Sequence, residues 1–258
     1  MKLMFIGTGS GITSLKRNHS SILLQHNSHN LLIDCGDGTA KALKQRSISF
    51  NSIDSILFSH YHADHFAGIA ALVTQMKLSK REKRLAIFTH RNLVEPLENF
   101  LKYSYLFKET FEFTFDIIPF TFENELTITD GLYLQAKQNS HITNKHEINS
   151  YDAAKFVSSS FYLRTENNHI VYTADIGGKN DLFLFDEVSP QIFITETSHI
   201  NLSWLLEIFT KIQPAKVILT HISDEDEFKI FKWLENIPAE IKPKFSMAED
   251  GQIVTLNN

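Results

Sequence analysis

Residues 60–65 read His60-Tyr61-His62-Ala63-Asp64-His65, directly after the apolar run Ile53-Asp54-Ser55-Ile56-Leu57-Phe58-Ser59. Three imidazoles and a carboxylate at this density make a donor set for transition metals, and a pair of metals can make hydroxide at neutral pH. Histidine accounts for 12 and aspartate for 13 of the 258 residues. On that composition a fixed pattern of three His and one Asp arises by chance in roughly one such chain in a thousand. The competing reading is a solvated helix start, but helix starts select Asp and Ser rather than several His. The preceding run reads as a buried strand, so the cluster sits at a strand end.

Working outward, residues 64–78 read as a helix with Phe66, Ile69, Ala70, Val73 and Met76 along one face. A strand at 85–89 and a helix over 93–105 follow. On the other side, 3–6 is a short strand ended by Gly7-Thr8-Gly9-Ser10-Gly11, and 21–25 and 30–33 form a hairpin. After Asp34-Cys35-Gly36-Asp37-Gly38, residues 39–46 read as a short helix capped by Asp37 or Thr39. The second half repeats the style. Strands are expected at 111–118, 120–128 and 132–136, a hairpin at 156–164 and 169–173, and strands at 192–195 and 217–220. Trp204, Leu205, Ile208, Phe209 and Ile212 mark an amphipathic helix, 228–234 another, and 244–256 a closing strand pair around Glu249-Asp250-Gly251. Two strand-rich halves with helices predict an α/β protein, a four-layer αββα sandwich. With no linker, low-complexity tract or strong repeat, residues 1–258 read as one domain.

Hydrophobic residues make up 43% of the chain and charged residues 21%, ordinary for a globular protein. The net charge of -5 argues against a molecule that binds nucleic acid by its overall field, so an anionic substrate has to be drawn locally. Cys35 is the only cysteine, which forbids an intrachain disulfide and fits a reducing compartment. The start Met1-Lys2-Leu3-Met4-Phe5-Ile6-Gly7 has too short an apolar run for a signal peptide, and no stretch approaches the ~20 apolar residues of a membrane span, so a cytoplasmic location and no membrane partner are expected. A basic run, Lys77, Lys80, Arg81, Lys83 and Arg84, reads first as a solvated helix end and second as a phosphate contact.

Strand ends are where a rigid element aims a side chain while the next loop stays open to substrate. His60, His62, Asp64 and His65 follow one strand, His141 another, Asp175 a third and His221 a fourth. A lone His after a strand is more often a surface residue than a ligand; together with the six-residue cluster the balance reverses. Imidazole and carboxylate without thiolate suit Zn, and also Mn or Fe.

With these motifs the chain resembles the metallo-β-lactamase superfamily. The resemblance is carried by 60–65, by Tyr172-Thr173-Ala174-Asp175 and by Leu219-Thr220-His221-Ile222-Ser223, and is reinforced by the Gly7–Gly11 and Leu32–Gly38 segments and by Ala248-Glu249-Asp250-Gly251. These motifs span nearly the whole chain in the family's order. Within the superfamily the chain is similar to the branch of ribonuclease Z and cyclic-nucleotide or cyclic-ribose phosphodiesterases. Carried over position by position, the resemblance implies two divalent metals: His60, His62 and His141 on the first, Asp64, His65 and His221 on the second, and Asp175 between them. His146, five residues after His141 in the same polar loop, is the alternative fifth imidazole; His141 follows its strand more closely and is preferred. Asp64 and His221 are the catalytic candidates, with Asp64 able to accept a proton from the attacking hydroxide. Asp34 and Glu196 are candidate acceptors that orient ligand rings. His19, His26, His29, His90, His169 and His199 read as surface or structural residues.

The resemblance implies a phosphodiesterase acting on a small phosphodiester or short single-stranded nucleic acid. Two departures reduce the weight of a tRNA 3′-processing nuclease. Ribonuclease Z usually carries His-Glu-Ala-Thr after a late strand, whereas this chain reads Thr195-Glu196-Thr197-Ser198-His199. The nuclease branch also commonly carries a Gly/Pro-containing arm, whereas the 33 residues between His141 and Asp175 hold no Gly or Pro. Ser158-Ser159-Ser160 resembles a segment lining the substrate mouth, where a Ser could bind a phosphoryl oxygen; an ordinary strand start is the equal alternative. Lactone or thioester hydrolysis and a non-catalytic, metal-bound interaction protein remain as other readings. Homodimers are common among similar proteins, but nothing in the sequence marks an interface.

Overall fold

In the first strand, β1 (Lys2–Gly7), Leu3 and Phe5 point to one side and Met4 and Ile6 to the other. That period-2 alternation, with both sides apolar, belongs to a strand covered on both faces. The computed structural model describes residues 1–143 and 155–256. β1 is followed by β2 (Ser21–His26), β3 (His29–Ile33), α1 (Thr39–Gln45), β4 (Ser55–Leu57), α2 (Ala63–Phe66), α3 (Ile69–Leu78), β5 (Leu85–His90), α4 (Val94–Tyr103), β6 (Phe115–Phe120), β7 (Glu125–Thr129) and β8 (Leu132–Gln138). Then come β9 (Ser159–Arg164), β10 (His169–Tyr172), β11 (Ile192–Thr195), α5 (Ile208–Lys211), β12 (Lys216–Leu219), α6 (Glu227–Asn236), β13 (Phe245–Met247) and β14 (Ile253–Thr255).

Two sheets result, ordered β14-β1-β2-β3-β4-β5-β6 and β13-β12-β11-β10-β9-β8-β7. β3 to β6 run parallel in the first and β10 to β13 in the second. One core lies between the sheets: Leu3, Phe5, Leu24 and Phe88 meet Leu134, Phe161, Ile170 and Ile194. A second core joins the outer face of the first sheet to α1, α3 and α4 through Leu43, Leu72, Val73, Met76, Leu97 and Leu101. A third joins the other sheet to α5, α6 and the 3-10 turns through Leu182, Leu205, Ile208 and Ile230. These three cores define the αββα sandwich, each fully buried Leu, Ile or Phe contributing about 1.5–3 kcal/mol of transfer free energy. Among the described residues no helix is long and apolar enough to cross a membrane.

Three local expectations are corrected. The helix over 64–78 is two helices with Gly68 at the break: its N–H leaves the helical ladder for Cys35 O at 2.9 Å, and in this backbone-on-backbone crossing a Cβ there would lie 2.2 Å from Gly36 O. α1 is preceded by Gly38 at φ 78°, without a side-chain cap, and the Thr39 hydroxyl donates instead to Gly36 O. The closing strand pair is not a hairpin: β13 joins β12, β14 joins β1, and Glu249-Asp250-Gly251 crosses between the sheets. Asp250 anchors that crossing by accepting from Thr8 N, the Thr8 hydroxyl, Asn18 N and the Asn18 amide.

Candidate metal centre

Every element that reaches the site does so at the carboxyl end of a strand, the rim where α/β sheets place ligands. After β4 the chain delivers His60, His62, Asp64 and His65; His141 follows β8, Asp175 follows β10 and His221 follows β12. Three of the supporting residues hold left-handed backbone although none is glycine: Asp34 at φ 59°, Ala174 at 51° and His221 at 55°. Such conformations cost free energy and gather where packing aims side chains for function.

The structure brings the seven sequence-derived candidates into two donor groups. His60, His62, His141 and Asp175 offer atoms within 4.8 Å of one another, and so do Asp64, His65, Asp175 and His221. Asp175 belongs to both. His146, the alternative to His141, lies outside the described residues; His141 is in place in the first group. In the first group His62 Nδ1 is 3.2 Å from His60 Nε2 and 3.1 Å from His141 Nε2. A tetrahedral ion with Zn–N bonds of about 2.0–2.1 Å has edges of about 3.3 Å, so these ring nitrogens stand at near-ligand spacing. In the second group His221 Nε2 is 3.0 Å from Asp64 Oδ2 and 3.3 Å from Asp175 Oδ2, and His65 Nε2 is 3.2 Å from Asp175 Oδ1. His65 Nε2 and Asp175 Oδ1 are buried and have no hydrogen-bond partner among the described residues. A buried polar atom left so costs about 1–3 kcal/mol; a cation between them removes that cost. The residues present therefore fit a pair of divalent ions.

Around these donors the far ring nitrogens of His60 and His65 are engaged. Asp34, fully buried, accepts from His65 Nδ1 at 2.8 Å, from Ser59 N and the Ser59 hydroxyl, and from the Tyr172 hydroxyl. His60 Nδ1 lies 3.0 Å from the Ser59 oxygen, so the chain His60 to Ser59 to Asp34 leaves Nε2 of both His60 and His65 as the free lone pair. Burial pulls His60 well below the ordinary histidine range, lowers His62, and brings His141 to about 4. Burial thus favours the neutral ring, the form that binds metal. Burial also acts to lower His65, but Asp175 and Asp34 outweigh it and raise that ring well above the usual value. The carboxylates thus demand a positive charge at this point. Burial opposes ionisation of Asp64, yet the hydrogen bond and charge of His221 with that of His65 bring it down to about 2. Against the same burial, His221 and His65 hold Asp175 well below the carboxylate range.

His199, read as a surface or structural residue, is exposed and also lines the site. It lies over the site, ring centres 4.9 Å from His141 and 5.7 Å from His221, and Glu196 accepts from its Nδ1 at 3.0 Å. That hydrogen bond is the main reason its pKa is raised. Glu196 also accepts from Ile176, Ser198 and His199 backbone N–H groups. Thr195, by contrast, is fully buried, its oxygen 3.1 Å from the Thr173 hydroxyl. Four residues after Thr195, His199 places an imidazole beside the donor groups. No local sequence signal marks it: its place follows from β11 lying between β10 and β12, whose ends carry Asp175 and His221.

Two other expectations resolve. Ser158, Ser159 and Ser160 are all buried, and the Ser160 hydroxyl donates to Thr173 O, so the strand-start reading holds. Within the basic run Arg81 is buried against the carbonyls of Asn51, Ile53 and Arg84, Lys83 pairs with Asp54, and Arg84 pairs with Asp116. Above the metal donors a cavity of about 350 Å³ is lined by Ser10, Ile12, His199, Ser223, Glu225 and Asp226 among others, and by no Lys or Arg among the described residues.

The protein YhfI of Bacillus subtilis, a metallo-beta-lactamase fold protein, superimposes with a TM-score of 0.76 at 20% identity, covering 98% of both chains. The ribonuclease Z of Methanococcus aeolicus is 35% identical over 105 residues, 41% of this chain; the matched stretch spans 33% of that relative's length. The Anti-Pycsar protein Apyc1 of Paenibacillus harenae is 29% identical over 227 residues, covering 87% of this chain and 90% of that protein. The family model described as Anti-Pycsar protein Apyc1 matches residues 1–232, and on that match, over a metallo-β-lactamase fold, the chain belongs to the Apyc1 family.

Proposed function

We propose that this protein is a dinuclear metal-dependent phosphodiesterase whose substrate is a small phosphodiester or short single strand, acting from one domain. The observation that carries the reading is the pair of thiolate-free donor groups that share Asp175. His60, His62 and His141 would hold one divalent ion, Asp64, His65 and His221 the other, with Zn first among candidates and Mn or Fe compatible. Bound there, the ions would supply Lewis acidity and an acidified water, the chemistry phosphodiester hydrolysis needs.

The chain's own groups do the rest. Asp64 Oδ2, beside His221 Nε2, stands where it can take the proton of the attacking water. His199, its Nδ1 committed to Glu196, lines the cavity and can protonate the departing oxygen through its other nitrogen. Glu225 and Asp226 on the rim disfavour a polyanion and tolerate a single phosphodiester drawn in by the ions. Relatives named ribonuclease Z support a second reading, cleavage of 3′-extended pre-tRNA.

The test is metal content per chain, with wild type and Asp175→Ala compared on bis(p-nitrophenyl) phosphate. The expected result is two ions and turnover in wild type, with fewer ions in the variant and kcat lower by about 10³-fold or more. Fewer than one ion per chain after reconstitution with Zn, Mn and Fe overturns the proposal. Two ions without turnover on phosphodiesters favour the lactone, thioester or non-catalytic readings.

A further inference from the structure

Asp181 sits in the 3-10 turn Lys179–Phe183, outside both donor groups, and is 7% exposed. One of its oxygens, Oδ2, accepts three hydrogen bonds: from Ser140 N at 3.0 Å, from the Ser140 hydroxyl at 2.7 Å and from Gly177 N at 2.9 Å. Ser140 immediately precedes His141, and Gly177 lies two residues after Asp175. Those are the two members of the first donor group that the 60–65 segment does not carry. The two loops touch directly, since a Cβ on Gly177 would lie 2.2 Å from Ser140 O. Glycine permits the contact and the carboxylate closes it. A buried carboxylate is costly unless its lone pairs are engaged, and charge-assisted bonds are about twice as strong as neutral ones, so three donors on one oxygen make a stiff joint.

His60, His62 and His65 gain their positions from β4, α2 and Asp34. His141 stands in a loop, three residues beyond the end of β8. Its backbone N–H donates to Asn139 Oδ1 at 3.1 Å, and Asp181 holds the residue before it. We infer that Asp181 is a positioning residue that fixes His141 against Asp175, and so sets the affinity of the first metal position without touching the metal. The inference rests on the dinuclear reading. Groups of this kind, acting behind a ligand, typically change metal affinity by about 10–100-fold.

The experiment is a chelator titration of Zn-loaded wild type, Asp181→Ala, Asp181→Asn and His141→Ala, reading ions per chain and both dissociation constants, with circular dichroism as the fold control. In Asp181→Ala one ion should weaken by about 10–100-fold, the other staying within about threefold of wild type; the weakened ion should be the one lost in His141→Ala. Asp181→Asn, whose amide oxygen still accepts, should fall between. Unchanged constants overturn the inference, and so does equal weakening of both ions, the mark of a merely structural role. If Asp181→Ala does not fold, Asp181→Asn and Ser140→Ala, which removes one donor of three, carry the same comparison. A wild type that holds one ion overturns the dinuclear reading and this inference with it, whereas a two-ion wild type with insensitive variants overturns the inference alone.

Discussion

Carboxylates do two different jobs around these imidazoles. Asp64 and Asp175 face the space between the rings, while Asp34 and Glu196 grip rings from behind. A ring held from behind has one tautomer and one direction, which is why Asp34 serves both donor groups, directly at His65 and through Ser59 at His60. Glu196 applies the same device to His199, which belongs to neither of the two metal groups and is 42% exposed, free to meet substrate. A proton donor matters in proportion to how badly the leaving oxygen needs a proton. His199→Ala should therefore lower kcat by about 10²–10⁴-fold on a phosphodiester with an alkoxide leaving group. On bis(p-nitrophenyl) phosphate, whose p-nitrophenolate leaves unprotonated, the loss should stay below about tenfold, with two ions still bound. Equal losses on both substrates would mean that His199 supports the geometry of the site rather than the departing group.

At the scale of elements, the site is built where parallel strands end. β10, β11 and β12 finish side by side at Asp175, Glu196 and His221, and β3 and β4 at Asp34 and the 60–65 segment. Much of this was legible locally: an apolar run followed by His and Asp fixes both the strand and the direction of its end. His199 was not legible, because its place depends on β11 lying between β10 and β12, a pairing across distant sequence. The same reason separates β13 from β14, whose five-residue connection resembles a hairpin turn while their partners are β12 and β1. The break at Gly68 was hidden too, since helical periodicity continues through it and the cause is a foreign backbone. Gly68 is at φ -70°, an ordinary helical value, so alanine would be strained by contact alone. Its Cβ would lie 2.2 Å from Gly36 O and 2.9 Å from Cys35 O, in the loop that carries Asp34. Helix propensity favours Ala over Gly by about 0.8–1.0 kcal/mol, but backbone overlap of this kind costs about 1–3 kcal/mol or more. Gly68→Ala should lower Tm by several degrees in calorimetry; a raised Tm would mean that the loop yields and propensity wins.

At the scale of the whole molecule, charge selects among phosphodiesters. The net charge is -5, the one basic run is largely committed to internal partners, and Glu225 and Asp226 stand at the mouth of the cavity. A protein that tracks a nucleic-acid backbone through six to ten basic contacts loses about 10³–10⁵ in affinity between 50 and 200 mM salt. This arrangement predicts the reverse. A substrate with one phosphodiester meets the ions and little else, so its kcat/KM should barely move with salt. A single-stranded decamer has to bring further phosphates past the acidic rim, and screening relieves that repulsion as the Debye length shortens toward about 8 Å at physiological ionic strength. Its kcat/KM should start below that of a dinucleotide at low salt and rise as NaCl is added. A steep fall with salt would instead require a basic surface that follows the strand, and would move the weight of the assignment to the ribonuclease reading.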